Sequence, residues 1–189
     1  MDKKLKISPT EIDDLYIIES NLFTDDRGSF SRIYCQKELE EISNITIKQI
    51  NHSVTKDKGT TRGMHFQYEP DAEVKIIKCI KGSIFDVVVD IRKNSSTFLK
   101  TFSIELTEEN KKMLYIPKGF AHGFQTLEDN TELLYFHSSV YTPCNEGALN
   151  IKDPLLKIRW PLDTKNLSKR DNEHMLLDKS FKGIDIDEL

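Results

Sequence analysis

Residues 83–91 read Ser-Ile-Phe-Asp-Val-Val-Val-Asp-Ile, and a period of two puts Phe85, Val87, Val89 and Ile91 on one face and Asp86, Val88 and Asp90 on the other. Similar β-branched or aromatic runs, each closed by Gly, Pro, Asn or Asp, predict strands over 15–20, 45–53, 61–67, 73–81, 83–91, 99–107, 112–117, 121–127 and 131–142. The intervals are too short for the crossover helices that parallel strands need, so the expectation is an all-β antiparallel sandwich or barrel, with a jelly roll preferred. Helical signal is local: residues 36–43 suit a short helix, and the tail from about residue 165 is partly helix-compatible. No repeat or low-complexity linker divides residues 1–189, which predicts one domain, and the acidic end at 185–189 is expected to fray.

The same parity places His65 and Gln67 opposite Met64 and Phe66, and Leu133, Tyr135 and His137 opposite Leu134 and Phe136. One face then reads as packed core and the other as a polar lumen. Strict alternation sets Arg62 against the face of His65, unless a bulge at Gly63 re-aims it.

Composition narrows the partners. With 27 basic and 31 acidic side chains the net charge is −4, which gives no overall electrostatic reason to expect nucleic acid. Cys35, Cys79 and Cys144 are three in number and lack paired spacing, which indicates neither a disulfide framework nor a zinc site and suits a reducing compartment. The opening residues are mixed and polar, unlike a signal core, and no apolar run approaches the ~20 residues of a membrane span; the expected location is cytoplasmic.

A lone strand histidine is more often a partly buried group satisfied by a carbonyl than a reactive one. Around His65, however, stand a glycine turn, Arg62 and Gln67, with Lys75 and Asp86 on the strands that follow. Read in order, Phe23 to Gly28, Gln49 to Ser53, Arg62-Gly63-Met64-His65-Phe66-Gln67, Val74-Lys75-Ile76, Gly82 with Asp86 to Arg92, Ile116 to Phe124, Tyr135, Tyr141 with Pro143, and Asp153-Pro154 before Trp160-Pro161 resemble the dTDP-4-dehydrorhamnose 3,5-epimerase family of nucleotide-sugar epimerases, a branch of the cupins.

The resemblance implies a cupin double-stranded β-helix with short peripheral helices and an isomerase acting on a nucleotide-linked 4-keto-6-deoxyhexose in deoxysugar and surface-polysaccharide biosynthesis. It implies His65 as general base, Asp171 as the carboxylate that orients its ring, and Tyr135 as the acid on the far face of the sugar. Arg62, Lys75 and His122 would line the pocket, with Asp86 supporting His122 from the neighbouring strand. Arg27, Gln49 and Asn51 would lie at the nucleotide diphosphate end, the Arg27 segment lent by a second copy, so that a homodimer is implied. A 4-ketosugar has acidified C–H bonds beside its carbonyl, and inversion needs a base, an acid on the opposite face, and cations or donors for the enolate oxygen.

Cupins that hold metal commonly use an HxH pair, a glutamate and a later histidine. Here Pro117 to His122 keeps the last element, the pair is reduced to His65-Phe66-Gln67, and Lys75 falls where an acid would be sought. Two imidazoles beside an ammonium make a poor cation site, so no metal and no cofactor are expected. Departures from the family pattern leave the nucleotide open among dTDP, CDP and GDP: Arg32 stands where an acid is common, and Phe136-His137 follow Tyr135 where a lysine is often found. A ketoheptose epimerase, a 3,4-ketoisomerase and a metal-dependent cupin enzyme are the alternative readings.

Overall fold

The computed structural model describes residues 3–186; Met1, Asp2 and Asp187 to Leu189 lie outside the described residues, and with them most of the acidic end. The strands are β1 Leu5–Pro9, β2 Tyr16–Ser20, β3 Leu22–Asp25, β4 Gly28–Ser31, β5 Gln49–Thr55, β6 Thr61–Gln67, β7 Lys75–Lys81, β8 Ser83–Asp90, β9 Thr101–Thr107, β10 Lys112–Ile116, β11 Phe120–Thr126, β12 Thr131–His137 and β13 Glu146–Ala148. Among the described residues helix is limited to α1 Gln36–Leu39, a 3-10 turn at Pro143–Asn145 and α2 Lys169–Glu173.

Two antiparallel sheets face each other, one ordered β1-β2-β10-β7-β12-β5 and the other β13-β6-β11-β8-β9, with β3 and β4 as a separate hairpin. Consecutive strands such as β7 and β8 thus fall in different sheets, the sheet-switching of a cupin jelly roll. The interior between the sheets is packed by Ile77, Cys79, Leu114, Ile116 and Leu133 from one side and Ile84, Val88, Leu106, Phe120 and Phe124 from the other.

Both outer faces are covered as well. Met64, Phe66, Val87, Val89 and Ile91 pack under the C-terminal segment through Leu149, Ile151 and Leu156, while Ile76, Met113 and Phe136 pack under Leu39 and Ile45. The expected split into one core face and one polar lumen therefore holds only in part. β8 is buried on both sides, and the lumen is polar only at the end where the pocket opens.

Several bounds differ from expectation. The strand expected from 45 starts at Gln49, that expected to reach 142 stops at His137, and the helix expected over 36–43 closes after four residues, with Ile42 N–H donating back to the Leu39 carbonyl in a turn. β1, the β3–β4 hairpin and β13 carry too few alternating residues to stand out in the sequence; each is fixed by pairing, as β13 is by β6 through Gly147 opposite Phe66. Among the described residues, no helix is long and apolar enough to cross a membrane.

Candidate active site

Gly63 determines what β6 offers the interior. His122 of β11 pairs with His65 and Phe124 pairs with Arg62, so two residues of β6 oppose Gly123 alone: a bulge. The offset turns Arg62 onto the wall of His65, as both line one cavity of about 290 Å³. Only glycines allow the strands to meet there. Gly63 has φ +121°, and a Cβ on it would stand 2.5 Å from the Gly123 Cα; one on Gly123 would stand 2.7 Å from the Arg62 carbonyl oxygen.

His65 Nε2 lies 2.8 Å from Oδ1 of Asp171, which is 4% exposed on the first turn of α2. The Ser168 hydroxyl accepts from the Asp171 N–H and so caps this short helix. Burial pushes the Asp171 carboxyl up, but the hydrogen bond and charge of His65 and further donors outweigh it and hold the group below the usual range. The bond engages Nε2 and leaves Nδ1 as the ring nitrogen without a protein partner among the described residues.

The second expected histidine is deeper. His122 Nε2 is 2.6 Å from Oδ1 of the wholly buried Asp86, two residues off the direct cross-strand pair of His122 with Val88. Burial pushes the Asp86 carboxyl up, opposed by the charge and hydrogen bond of His122, and its Oδ2 is unpartnered.

Tyr135 projects from β12 in the facing sheet, so His65 and Tyr135 stand on opposite walls of the same cavity. Its hydroxyl is 3.1 Å from the Ser53 hydroxyl. Burial pushes it up to about 12, with Ser53 and the Arg62 charge opposing and Asp86 adding to the rise. It therefore stays protonated through neutral pH.

Lys75 also lines the cavity, 3.0 Å from Oε1 of Glu73. Gln49 and Asn51 line it from β5, joined by a 3.2 Å bond from Gln49 Nε2 to Asn51 Oδ1. One expected residue lies elsewhere: Arg27 caps the β3–β4 hairpin, its side chain 89% exposed and paired with Asp25 at 2.6 Å. Arg32, expected to influence the nucleotide end, is instead bound to Glu38, whose carboxylate also accepts the N–H groups of Lys4 and Leu5. Gln67 is structural, with its amide accepting from Thr142 N–H at 2.7 Å and donating to the carbonyls of Asp71 and Val140.

Ser53, Glu73, Glu146 and His137 are polar lining residues that had no individual role in the sequence reading, the last noted there only as a departure. Glu146 accepts from Tyr141 Oη at 3.0 Å and pairs with Arg170, the neighbour of Asp171. Their roles depend on cross-strand register, which parity within one strand does not supply.

His65, Asp171 and His174 bring one ligand atom each within 4.8 Å of one another, the one such group of three among the described residues. A cation there would take the His65 nitrogen and the Asp171 oxygen out of their mutual bond. The group can handle protons or hold metal, but not both at once. A larger cleft of about 590 Å³ beside Arg92 and Asp14 contains no histidine.

Comparison with known proteins agrees with this geometry. The sequence profile of the dTDP-4-dehydrorhamnose 3,5-epimerase family matches residues 9–179. The chain is 42% identical over 175 residues to the dTDP-4-dehydrorhamnose 3,5-epimerase of Salmonella typhimurium, covering 91% of this chain and 95% of that protein. Among solved structures, the Bacillus anthracis dTDP-4-dehydrorhamnose 3,5-epimerase with TDP and PPi bound superposes with TM-score 0.88 at 38% identity, covering 92% and 99% of the two chains. The Legionella pneumophila dTDP-6-deoxy-D-glucose-3,5-epimerase in complex with dTDP-4-keto-L-rhamnose does so with TM-score 0.89 at 35% identity, covering 97% and 100%. With matches of this extent and a pocket walled by a histidine–carboxylate pair and a facing tyrosine, the chain belongs to the dTDP-4-dehydrorhamnose 3,5-epimerase family of carbohydrate epimerases.

Proposed function

We propose that this protein inverts C3, C5 or both of a dTDP-linked 4-keto-6-deoxyhexose, without metal or cofactor, as a step in deoxysugar biosynthesis for a surface polysaccharide. The observation that carries this reading is the placement of His65–Asp171 and Tyr135 on facing walls of one cavity that also holds Arg62 and Lys75. Bound between them, a sugar ring meets a base on one face and a proton donor on the other, the requirement for inversion.

His65 takes the proton from the carbon beside the carbonyl, and Asp171 holds the ring and balances the imidazolium that forms. Charge moves onto the sugar oxygen, where Lys75, Arg62 and His122 supply positive charge or donors. Tyr135 returns a proton to the opposite face, its raised pKa keeping the proton on the oxygen until the enolate needs it. The nucleotide assignment follows the relatives, whose complexes carry TDP and dTDP-4-keto-L-rhamnose.

The exposed β3–β4 hairpin supports a homodimer. Arg27 at its tip and the exposed Phe23, Phe30, Ile50 and Val54 offer surface for a second copy, and Arg27 reaches a diphosphate only if that copy's pocket receives it. A single domain in the cytoplasm, with no membrane or nucleic-acid partner, completes the reading.

The test is incubation of chelator-treated protein with dTDP-4-keto-6-deoxyglucose in heavy water, followed by mass spectrometry. Uptake of one or two carbon-bound deuterons with epimerised product is expected, one for a single centre and two for both. No uptake, or uptake only after a metal is restored, overturns the reading.

A further inference from the structure

A third histidine–carboxylate pair lines the cavity, and the proposed chemistry does not use it. His137 Nδ1 lies 2.8 Å from Glu73 Oε2, and Glu73 turns its other oxygen to Lys75. His137 stacks on Tyr135, with ring centroids 6.1 Å apart and an angle of 15° between planes. Burial pushes the Glu73 carboxyl up, but His137 and Lys75 hold it below the usual range, so it is an anion.

From His137 a hydrogen-bonded chain runs toward β5. Its Nε2 is 3.4 Å from Asn51 Nδ2; Asn51 Oδ1 accepts from Gln49 Nε2 at 3.2 Å; Gln49 Oε1 accepts from the Tyr141 N–H at 3.1 Å. The two ends of this chain have fixed polarity. A backbone N–H can only donate and a carboxylate only accept, so every link between them must point the same way. Tyr141 turns the Gln49 carbonyl toward itself, Gln49 turns the Asn51 carbonyl, Asn51 presents an N–H to His137 Nε2, and His137 carries its proton on Nδ1 for Glu73.

Each amide then has one N–H left over, while its oxygen already accepts one bond within the chain. Gln49 and Asn51 together offer donors, which suit an acceptor-rich anion such as a diphosphate. We propose that Glu73–His137 is a positioning pair: it locks the direction of the Asn51 and Gln49 amides, so that the nucleotide end of the pocket presents donors to the diphosphate. This rests on the reading that Gln49 and Asn51 hold that group.

Calorimetric binding of dTDP, with KM and kcat for the dTDP-ketosugar, tests it on the full chain. His137→Phe keeps the stack on Tyr135 but removes the acceptor, and is expected to weaken dTDP binding and raise KM about tenfold, while kcat falls less than about threefold. His137→Gln can accept from Asn51 and donate to Glu73, and should restore both values to within about threefold of the parent. Glu73→Gln, which removes the one-way acceptor while keeping the volume, should weaken dTDP binding in the same direction and serves if His137→Phe does not fold.

Unchanged dTDP affinity in His137→Phe or in Glu73→Gln overturns the proposal, as does equal weakness of His137→Phe and His137→Gln, which would indicate shape alone. Gln49→Ala and Asn51→Ala separate the two levels. If they weaken dTDP binding while His137→Phe does not, the positioning role fails alone; if they leave it unchanged, the reading of this end of the pocket fails and the proposal with it.

Discussion

His65 and Asp171 are separated by 106 positions in the chain and by 2.8 Å between ring nitrogen and carboxylate oxygen. One sits on β6, an inner strand of its sheet, and the other on the five-residue helix α2, which packs against that strand. If His65 is the base, as proposed, the pair couples the packing of the tail to proton abstraction.

Asp171→Asn should therefore act on the chemical step. An amide can hold the ring but cannot balance an imidazolium, and a loss of roughly 10²–10⁴ in deuterium uptake is expected with the fold intact. His65→Asn should abolish uptake, and uptake at the parent rate in that variant would remove His65 as the base.

Tyr135→Phe separates removal of the proton from its return. Deuterium exchange at the carbon facing His65 should continue, while epimerised product falls by about 10²-fold or more. Equal loss of both would place Tyr135 in binding. Because burial pushes its hydroxyl up to about 12, an alkaline fall in kcat below pH ~10 would have to come from another group.

Asp86 gives a pH test of stability. Burial raises its folded pKa above the ordinary 3.8, so its favourable contribution is present below the unfolded value and is lost as pH rises through the folded one. Asp86→Asn keeps an acceptor for His122 and has no charge to bury. Its urea-unfolding free energy relative to the parent should rise as pH is raised above the unfolded value, whereas a constant difference would show no folded-state shift.

Gly63→Ala should lower unfolding free energy by at least about 1–3 kcal/mol, since a side chain at φ +121° and 2.5 Å from the Gly123 Cα forces the two strands apart. Substrate KM should rise with it as Arg62 loses its aim; a parent-like KM would mean that Arg62 does not touch substrate.

Arg27→Ala tests the assembly. The side chain is 89% exposed and paired with Asp25, so the melting temperature should be nearly unchanged. If a second copy uses it, KM should rise about tenfold and sedimentation should report a dimer. A monomer with parent-like KM would remove both the shared site and the homodimer.

The sheet architecture was legible in the sequence because period-two alternation and turn residues act locally, and each of the nine predicted runs contains the central portion of a strand in this fold. His65, Tyr135 and Asp171 were found through family motifs; parity alone could not show that the first two face each other across two sheets. Arg62 illustrates the limit well: alternation put it on the wrong wall, and only the bulge corrects it. Glu73 and Ser53 escaped notice because a carboxylate in a loop and a serine in an edge strand are ordinary by themselves. Each gains a role from a diagonal neighbour, His137 or Tyr135, that register supplies.

The bulge at Gly63 also makes β6 a strand counted in two phases, residues 61–62 from one origin and 64–67 from another. Straightening the strand with all seven residues kept would restore one phase and transfer the Arg62 charge from the pocket into the apolar layer around Met64, Val87 and Leu149, whereas removing Gly63 outright would leave Arg62 two places from His65 and on the same wall. The pocket's electrostatics thus hang on a residue that has no side chain, and loss of the bulge with the residue count kept would be felt as a buried, unpaired cation rather than as a change in strand length.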